Sequence, residues 1–519
     1  MSTHSKPSTC PARGRTEILG ATGYGAPPVA GRGRRLPGVL LCVTLLICGL
    51  PLAARAAGDR PTGISAEFLS RMQTRAFGPT EQVLADAVAH NDVRNLALNR
   101  DRVVSHRPLV NHRIESGSIT HQKGSGRCWI FAGFNVLRPA VIERYDLEEF
   151  EFSESYVQFW DKLEKANSFL EEMIARAEDP LDDRRLEIVL DTPLGDGGWW
   201  SYFVDLVEKY GLIPKEVMPE SHASSSTAMM NHLLEQKVGE MGLELRALAR
   251  GDATLEEIQS RKETHLAEIY RLLTMHLGRP PQQFTWRYET KTDTTRITTY
   301  PHPLTPHGFF TKVVGVDLQS YRALFHYPGK AFDQTYRLEL SRSVHDRPDF
   351  TLLNVPIDTL RACVLASILD SSAVWFACDV GQENYGDEGI LRLDIYNYEA
   401  LFDTSFRLPK EDLIHLGLIT PNHAMTFVGV DTLGSQPVKW LVENSWGADA
   451  GDDGHWHMYD DWFERYLFGA IVHERYLSTR LRELATRPPI LLPPWDPMRA
   501  ITRLDLGRPM TAIQRGDDE

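Results

Sequence analysis

Gln122-Lys123-Gly124-Ser125-Gly126-Arg127-Cys128-Trp129-Ile130-Phe131-Ala132-Gly133 holds the densest chemistry in the chain. Gly124, Ser125 and Gly126 make a flexible turn. From Cys128 the residues turn mostly apolar and stay so through Phe134, Val136, Leu137, Val141 and Ile142, which predicts a helix buried nearly all round. Cys128 then stands at the N-terminus of that helix. A thiol is a strong nucleophile only as the thiolate, and both a helix N-terminus and a nearby imidazolium favour that anion. Position supplies the first condition, and the second has to come from elsewhere in the chain. Gln122 lies upstream with an amide that can join the Cys128 backbone N–H as an oxyanion hole.

Two later segments supply the partners. His423 opens the apolar run Ala424-Met425-Thr426-Phe427-Val428-Gly429-Val430, so it is expected at the start of a strand. Asn444 ends a second strand, Trp440-Leu441-Val442-Glu443, and is followed by Ser445-Trp446-Gly447. An Asn side chain can accept the imidazole N–H and fix its tautomer, and Trp446 can shield that bond from water. Cys128 as nucleophile, His423 as base, Asn444 as orienter and Gln122 in the oxyanion hole are the candidate catalytic residues. No His-Glu-x-x-His or paired Cys-x-x-Cys occurs, so neither a metal nor another cofactor is expected. Asp449–Gly454 lacks the ligand spacing of a calcium loop, and Gly195-Asp196-Gly197-Gly198 lacks the Gly-Lys-Ser/Thr ending of a phosphate loop.

Around these motifs the chain changes character. Long helices are expected over 153–177, 227–250 and 254–277, the last capped by Asp252 or Thr254 with Glu256 and Glu257 in its first turn. Beyond residue 283 short β-rich runs follow at Phe284–Tyr288, Phe309–Val316, Val374–Val380, Ala424–Val430 and Val438–Glu443. A helical part followed by a strand-rich part reads as α+β. The expected organisation is a signal peptide and disordered leader at 1–56, a helical half with the nucleophile at 57–150, and a helical insertion at 151–282. A β-rich half with His423 and Asn444 follows at 283–500, and a tail at 501–519.

The leader is distinct. Arg32, Arg34 and Arg35 precede the apolar run Val39–Leu50, and Ala54-Arg55-Ala56 gives an A-x-A cleavage pattern. That combination reads as a secretory signal peptide, with a permanent N-terminal anchor as the alternative. The apolar stretch is short for a spanning helix. Export to the periplasm or medium is therefore expected, with no stable membrane anchor after cleavage; a cytoplasmic location is the alternative. The formal net charge is −14, and loss of the basic leader makes the remainder more acidic still, which argues against nucleic acid as a partner. Of six cysteines, Cys10, Cys42 and Cys48 precede the cleavage pattern. Cys363 and Cys378 could form one disulfide, but both lie in apolar stretches and are expected as buried thiols.

Taken together, these segments resemble the bleomycin hydrolase and aminopeptidase C family of papain-like cysteine peptidases. Further carriers are Phe159-Trp160-Asp161-Lys162-Leu163-Glu164-Lys165-Ala166-Asn167, Val374-Trp375-Phe376-Ala377-Cys378-Asp379-Val380-Gly381 and Pro494-Trp495-Asp496-Pro497-Met498. Cys128 and His423 stand much farther apart than the roughly 130–150 residues of papain-type enzymes. The resemblance implies a papain-like cysteine peptidase fold with a large helical insertion, and hydrolysis of N-terminal peptide bonds. It also implies peptide substrates and a homo-oligomer, a hexamer with internal active sites. Gly197 and Gly198 match the Gly-Gly strand that holds substrate backbone in such clefts. His121 stands where family members commonly have Asn. The family chain ends shortly after the Trp-Asp-Pro-Met segment, with its terminal carboxylate binding the substrate amino group, whereas here residues continue to Gly516-Asp517-Asp518-Glu519. A cysteine endopeptidase with an open cleft is thus one alternative, and a non-catalytic oligomeric binding protein of the same fold another.

Overall fold

The computed structural model describes residues 62–191 and 193–502; the expected leader and the tail beyond residue 502 lie outside the described residues. Residues up to Phe77 and those from Gly78 onward form separate units. In the first unit, helix Ala66–Thr74 is capped by the Ser65 side chain, which accepts the Phe68 N–H. All that follows concerns the second.

The apolar stretch after Cys128 forms helix α1, Cys128–Tyr145, and buries every residue from Cys128 to Asn135. Asp146 ends it in the left-handed conformation. Helix α2, Glu154–Ala175, starts where the Ser153 hydroxyl accepts the Tyr156 N–H. Helices α3, Trp200–Tyr210, α4, Ala228–Arg250, and α5, Leu255–Leu277, follow. Thr254 caps α5 in a reciprocal box with Glu257, which satisfies two end N–H groups at once. Helices α2, α4 and α5 pack together through faces of Phe169, Met173, Leu234, Val238, Ile269 and Leu273. Gly242 allows the closest approach, since a Cβ there would lie 2.7 Å from the Phe169 ring.

The sheet is assembled from strands β1 Tyr321–Phe325, β2 Gln334–Leu338, β3 Thr351–Asn354, β4 Val374–Cys378, β5 Asn384–Tyr385, β6 Ile390–Leu391, β7 His423–Leu433, β8 Gln436–Glu443, β9 His455–Tyr459, β10 Leu467–His473 and β11 Ile490–Leu492. Their order is β11-β2-β3-β1-β10-β4-β7-β8-β9-β6-β5, and His112–Arg113 adds to β7. β4, β7 and β8 lie side by side and antiparallel, with His423 opposite Cys378. Val374–Cys378 and the first eight residues of β7 are buried, as expected of central strands. The α+β arrangement is as the sequence implies.

Two strand expectations give way. Phe309–Val316 is helical: helix Pro306–Phe309 continues as a single π turn over Phe310–Val314 and stops at Gly315 with φ +68°. Thr305 caps the helix through the Gly308 N–H and Pro306 is preset for a first turn, which overrides the β-propensity of Phe309, Phe310 and Val313. Phe309 then fills a cluster with Phe150, Phe152, Phe284 and Trp286. The strand expected at Phe284–Tyr288 is Arg287–Thr290, hairpinned to Asp293–Thr299, while Phe284 makes only an isolated bridge to Leu304. Cys363 and Cys378 are free thiols, both buried.

Helix α1 is fastened to the sheet by polar bonds within the core. Thr426 of β7 donates to the Ala132 carbonyl at 3.1 Å, and Trp375 of β4 donates through Nε1 to the Trp129 carbonyl at 3.2 Å. Arg138 of α1, 1 % exposed, pairs with Glu443 of β8, 0 % exposed, and also donates to the Ser118 carbonyl at 2.8 Å. Burial pushes the Glu443 carboxyl up from its usual range despite Arg138, so the pair costs desolvation and serves to fix register between helix and strand. Glu443→Gln, which leaves the Arg138 charge buried without a carboxylate, is expected to lower stability by about 3–5 kcal/mol. The double change Arg138→Met with Glu443→Leu should recover much of that loss. Urea midpoints of the three proteins measure it; equal midpoints for E443Q and the wild type would refute it.

Candidate active site

The catalytic candidates converge where α1 meets the top of β7 and β8. Cys128 occupies the first turn of α1, fully buried, where the backbone N–H of Ala424, the residue after His423, favours the thiolate. His423 begins β7 and points its Nε2 at Asn444 Oδ1, 2.8 Å away, just past the end of β8. Asn444 Oδ1 also accepts the Ser445 N–H at 2.8 Å. A backbone N–H can only donate, so the atom facing His423 is the carboxamide oxygen. Nε2 must therefore carry the proton, and Nδ1 is the basic nitrogen of the ring. Trp446 stacks on the imidazole with centroids 4.7 Å apart and rests edge-on against Trp456, which keeps water from the His423–Asn444 bond.

Gln122 is buried beside them. Its Nε2 donates one hydrogen to the Ser125 carbonyl at 2.6 Å, its Oε1 accepts the Ser445 hydroxyl at 2.7 Å, and its backbone N–H reaches the Ser445 carbonyl at 2.8 Å. The amide has a second N–H, and that one is available to an oxyanion. Ser445 thus grips Gln122 by both backbone and side chain. In the sequence Ser445 reads only as part of a turn; its proximity to Gln122 arises from pairing across the fold.

Gly198 packs against Trp129, the residue after Cys128. A Cβ on Gly198 would sit 2.5 Å from the indole of Trp129, so the backbone here presses directly on the residue next to Cys128. The Gly197 carbonyl accepts Lys165 Nζ at 2.7 Å. Asp196, immediately before these glycines, carries no signal of its own in the glycine-rich run around it. It accepts the Gly126 N–H at 2.9 Å, Lys162 Nζ at 2.7 Å, Asn231 Nδ2 at 2.8 Å and the Thr227 hydroxyl, while its carbonyl accepts Trp129 Nε1 at 2.8 Å. Burial alone would raise its pKa, but Lys162 and the Gly126 N–H outweigh that and hold the carboxyl well below the usual range. One ionised carboxylate therefore joins the Gln122–Cys128 loop, α2, α4 and the glycine segment. Its i,i+34 relation to Lys162 gives no local signal, though a buried Lys on a helix face requires a carboxylate somewhere.

The electrostatics of the pair follow from its burial. Burial pushes the Cys128 thiol up to about 11, against the lowering effect of the Ala424 and Trp129 N–H groups. It also pushes His423 down to about 4, opposed by the bond to Asn444. Each group alone is neutral at pH 7. A proton moved from sulfur to Nδ1 would create two charges that stabilise one another, and the Asn444 oxygen would favour the imidazolium. Asn444→Ala, which frees the ring and its tautomer, is expected to lower kcat/KM by about 10²-fold or more. Gly198→Ala, which drives a methyl into Trp129, should raise KM more than it lowers kcat. Steady-state kinetics on one peptide substrate read both; unchanged values for N444A would refute the orienting role.

The Peptidase C1-like family model matches residues 64–499. Aminopeptidase C of Lactobacillus delbrueckii subsp. lactis is 34% identical over 428 residues, covering 82% of this chain and 95% of the relative. Bleomycin hydrolase of Mus musculus is 36% identical over 461 residues, covering 85% of this chain and 99% of the relative. The crystal structure of PepW from Lactobacillus rhamnosis HN001 superposes with a TM-score of 0.81 at 34% identity, across 84% of this chain and 99% of that one. The thiol at a helix N-terminus, its histidine and asparagine on adjacent strands and the near-complete span of these matches lead to one assignment: the chain belongs to the Peptidase C1-like family and is a cysteine peptidase.

Proposed function

We propose that the protein is a thiol aminopeptidase that hydrolyses N-terminal peptide bonds through Cys128, His423 and Asn444. The observation that carries the triad is the double acceptance at Asn444 Oδ1, which leaves His423 Nδ1 as the free base beside the thiol. His423 Nδ1 takes the Cys128 proton as sulfur attacks the peptide carbonyl carbon. The carbonyl electrons move to oxygen, where the second N–H of Gln122 and the Cys128 backbone N–H receive them. Collapse breaks the C–N bond, and His423 returns the proton to the departing amine. Water, deprotonated by His423, then cleaves the thioester and regenerates the thiol. Relatives named aminopeptidase C and bleomycin hydrolase support peptide substrates and the exopeptidase reading.

The glycine segment 197–198 serves, in this reading, as the rail along which substrate backbone lies. Assembly into a homo-oligomer, a hexamer by family likeness, and export directed by the basic-apolar leader complete the proposal. Light scattering of the purified protein and N-terminal sequencing of secreted material address these two points.

Matched aminoacyl substrates with free and blocked amino groups test the central reading. The free substrate should be cleaved and the blocked one spared. Prior treatment with a thiol alkylator, or Cys128→Ala, should abolish turnover. Cleavage of blocked and free peptides alike would replace the aminopeptidase with an endopeptidase, and full activity in C128A would remove the triad altogether.

A further inference from the structure

The loop that presents the oxyanion amide is held in an unfavourable backbone state. Lys123, next to Gln122, has φ +53°, the left-handed region that a residue with a Cβ seldom occupies. The neighbours of Lys123 are pinned by the Ser125 hydroxyl on the Gln122 carbonyl at 2.6 Å and by the Gly124 N–H on the Ser225 carbonyl at 2.9 Å, but the N–H of Lys123 itself turns inward to a side chain. The Lys123 N–H donates to His121 Nδ1 at 3.0 Å, bridging the two residues that flank Gln122. The same two-residue bridge is what an Asx turn makes with a carboxamide oxygen.

His121 is exposed, but its ring is not free to wander. Its backbone pairs with Trp446, the indole that covers His423, and a Cβ on Gly447 would lie 2.6 Å from the imidazole Cδ2. The Gly447 N–H is bonded to the Thr120 carbonyl at 3.1 Å, which closes the pairing on the other side. The imidazole is thus seated on one strand of backbone with its Nδ1 turned back to Lys123.

Resting on the reading of Gln122 as an oxyanion donor, we infer that His121 is a positioning residue for the oxyanion hole, competent only as the neutral imidazole. Nδ1 accepts the Lys123 N–H through a lone pair. Protonation puts a hydrogen on that nitrogen, so donor then faces donor and the bridge is lost. The left-handed turn at Lys123 then loses the bond made by its own N–H and keeps those of its neighbours, Ser125 on the Gln122 carbonyl and Gly124 on Ser225, while the Gln122 amide rests on Ser445 and Ser125 alone. The charged groups facing the ring are Lys123 on its own loop and Asp449 on the loop after Trp446; His423 lies behind the Trp446 indole. Burial first, then Lys123, lowers the His121 pKa below its ordinary 6.5, opposed by Asp449. The bridge is therefore intact at pH 7 and lost as the pH falls through the His121 pKa. An asparagine at this position would supply the same acceptor with nothing to titrate.

Two variants test this: His121→Phe removes the acceptor, and His121→Asn replaces it with one that does not titrate. H121F is expected to lower kcat about tenfold, less than the ~10²–10³-fold lost when an oxyanion donor is deleted outright, with KM little changed. H121N should recover most of that kcat at pH 7.5, and its acid limb should move to lower pH than that of the wild type. An acid limb that superposes on the wild type in H121N, or full kcat in H121F, would overturn the inference. Each preparation of the wild type is first inactivated with a thiol alkylator. Resistance to it would overturn the Cys128 reading itself, whereas sensitivity with unmoved His121 variants would overturn this inference alone.

Discussion

Helix α1 and the strands β4, β7 and β8 meet along a seam that is apolar in bulk and pinned by a few buried polar bonds. Thr426 holds the Ala132 carbonyl, Trp375 holds that of Trp129, and Arg138 pairs with Glu443. Each half of the candidate site belongs to a different side of this seam. The thiol rides on the helix, while the imidazole and carboxamide ride on the strands. Close packing alone would tolerate small slides of one layer on the other. Directional bonds in a low-dielectric interior do not, because a shift leaves a buried donor or acceptor without a partner.

The same burial explains why the site is built of pairs. Burial disfavours the charged form of Cys128 and of His423 alike, so neither ionises readily without a partner for its charge. Asp196 and Lys162 solve the corresponding problem by remaining charged together, with further N–H and O–H groups spread around the carboxylate. Asp196 is also the point where the helical part touches the chemistry. Through it, α2 and α4 are tied to the Gly126 N–H and to the segment that carries Gly197 and Gly198. The helices between α1 and the first sheet strands therefore buttress the loop that leads into Cys128 as well as adding bulk.

Much of the site was legible along the chain, because the chemistry demands residue types with local signatures. A thiol before a long apolar run, a histidine opening a β run and an asparagine closing one each have flanks that can be read without knowing the fold. The long helices were legible for a similar reason: their apolar spacing and the Thr254–Glu257 cap are local. The strands were less so. Phe309 and Phe310 are good strand formers, yet Thr305 and Pro306 start a helix there and the aromatic cluster accepts it. Strands β1, β3 and β10 are defined by pairings between residues far apart in sequence, for which no short window carries the information.

The sequence by itself determined which residues stand as candidate nucleophile, base and orienter, the α+β class and the long spacing between thiol and imidazole. These rest on residue chemistry and on hydrophobic periods that a helix or strand must satisfy wherever it lies. Only the tertiary structure decided which nitrogen of His423 is basic, since that depends on Asn444 Oδ1 being committed to the Ser445 N–H. It alone placed Ser445 on Gln122, Asp196 behind the glycine segment and His121 as the brace of a left-handed turn. Hydrogen bonds of this kind join residues that share no local pattern, and their geometry exists only after the helix and the sheet have closed on one another.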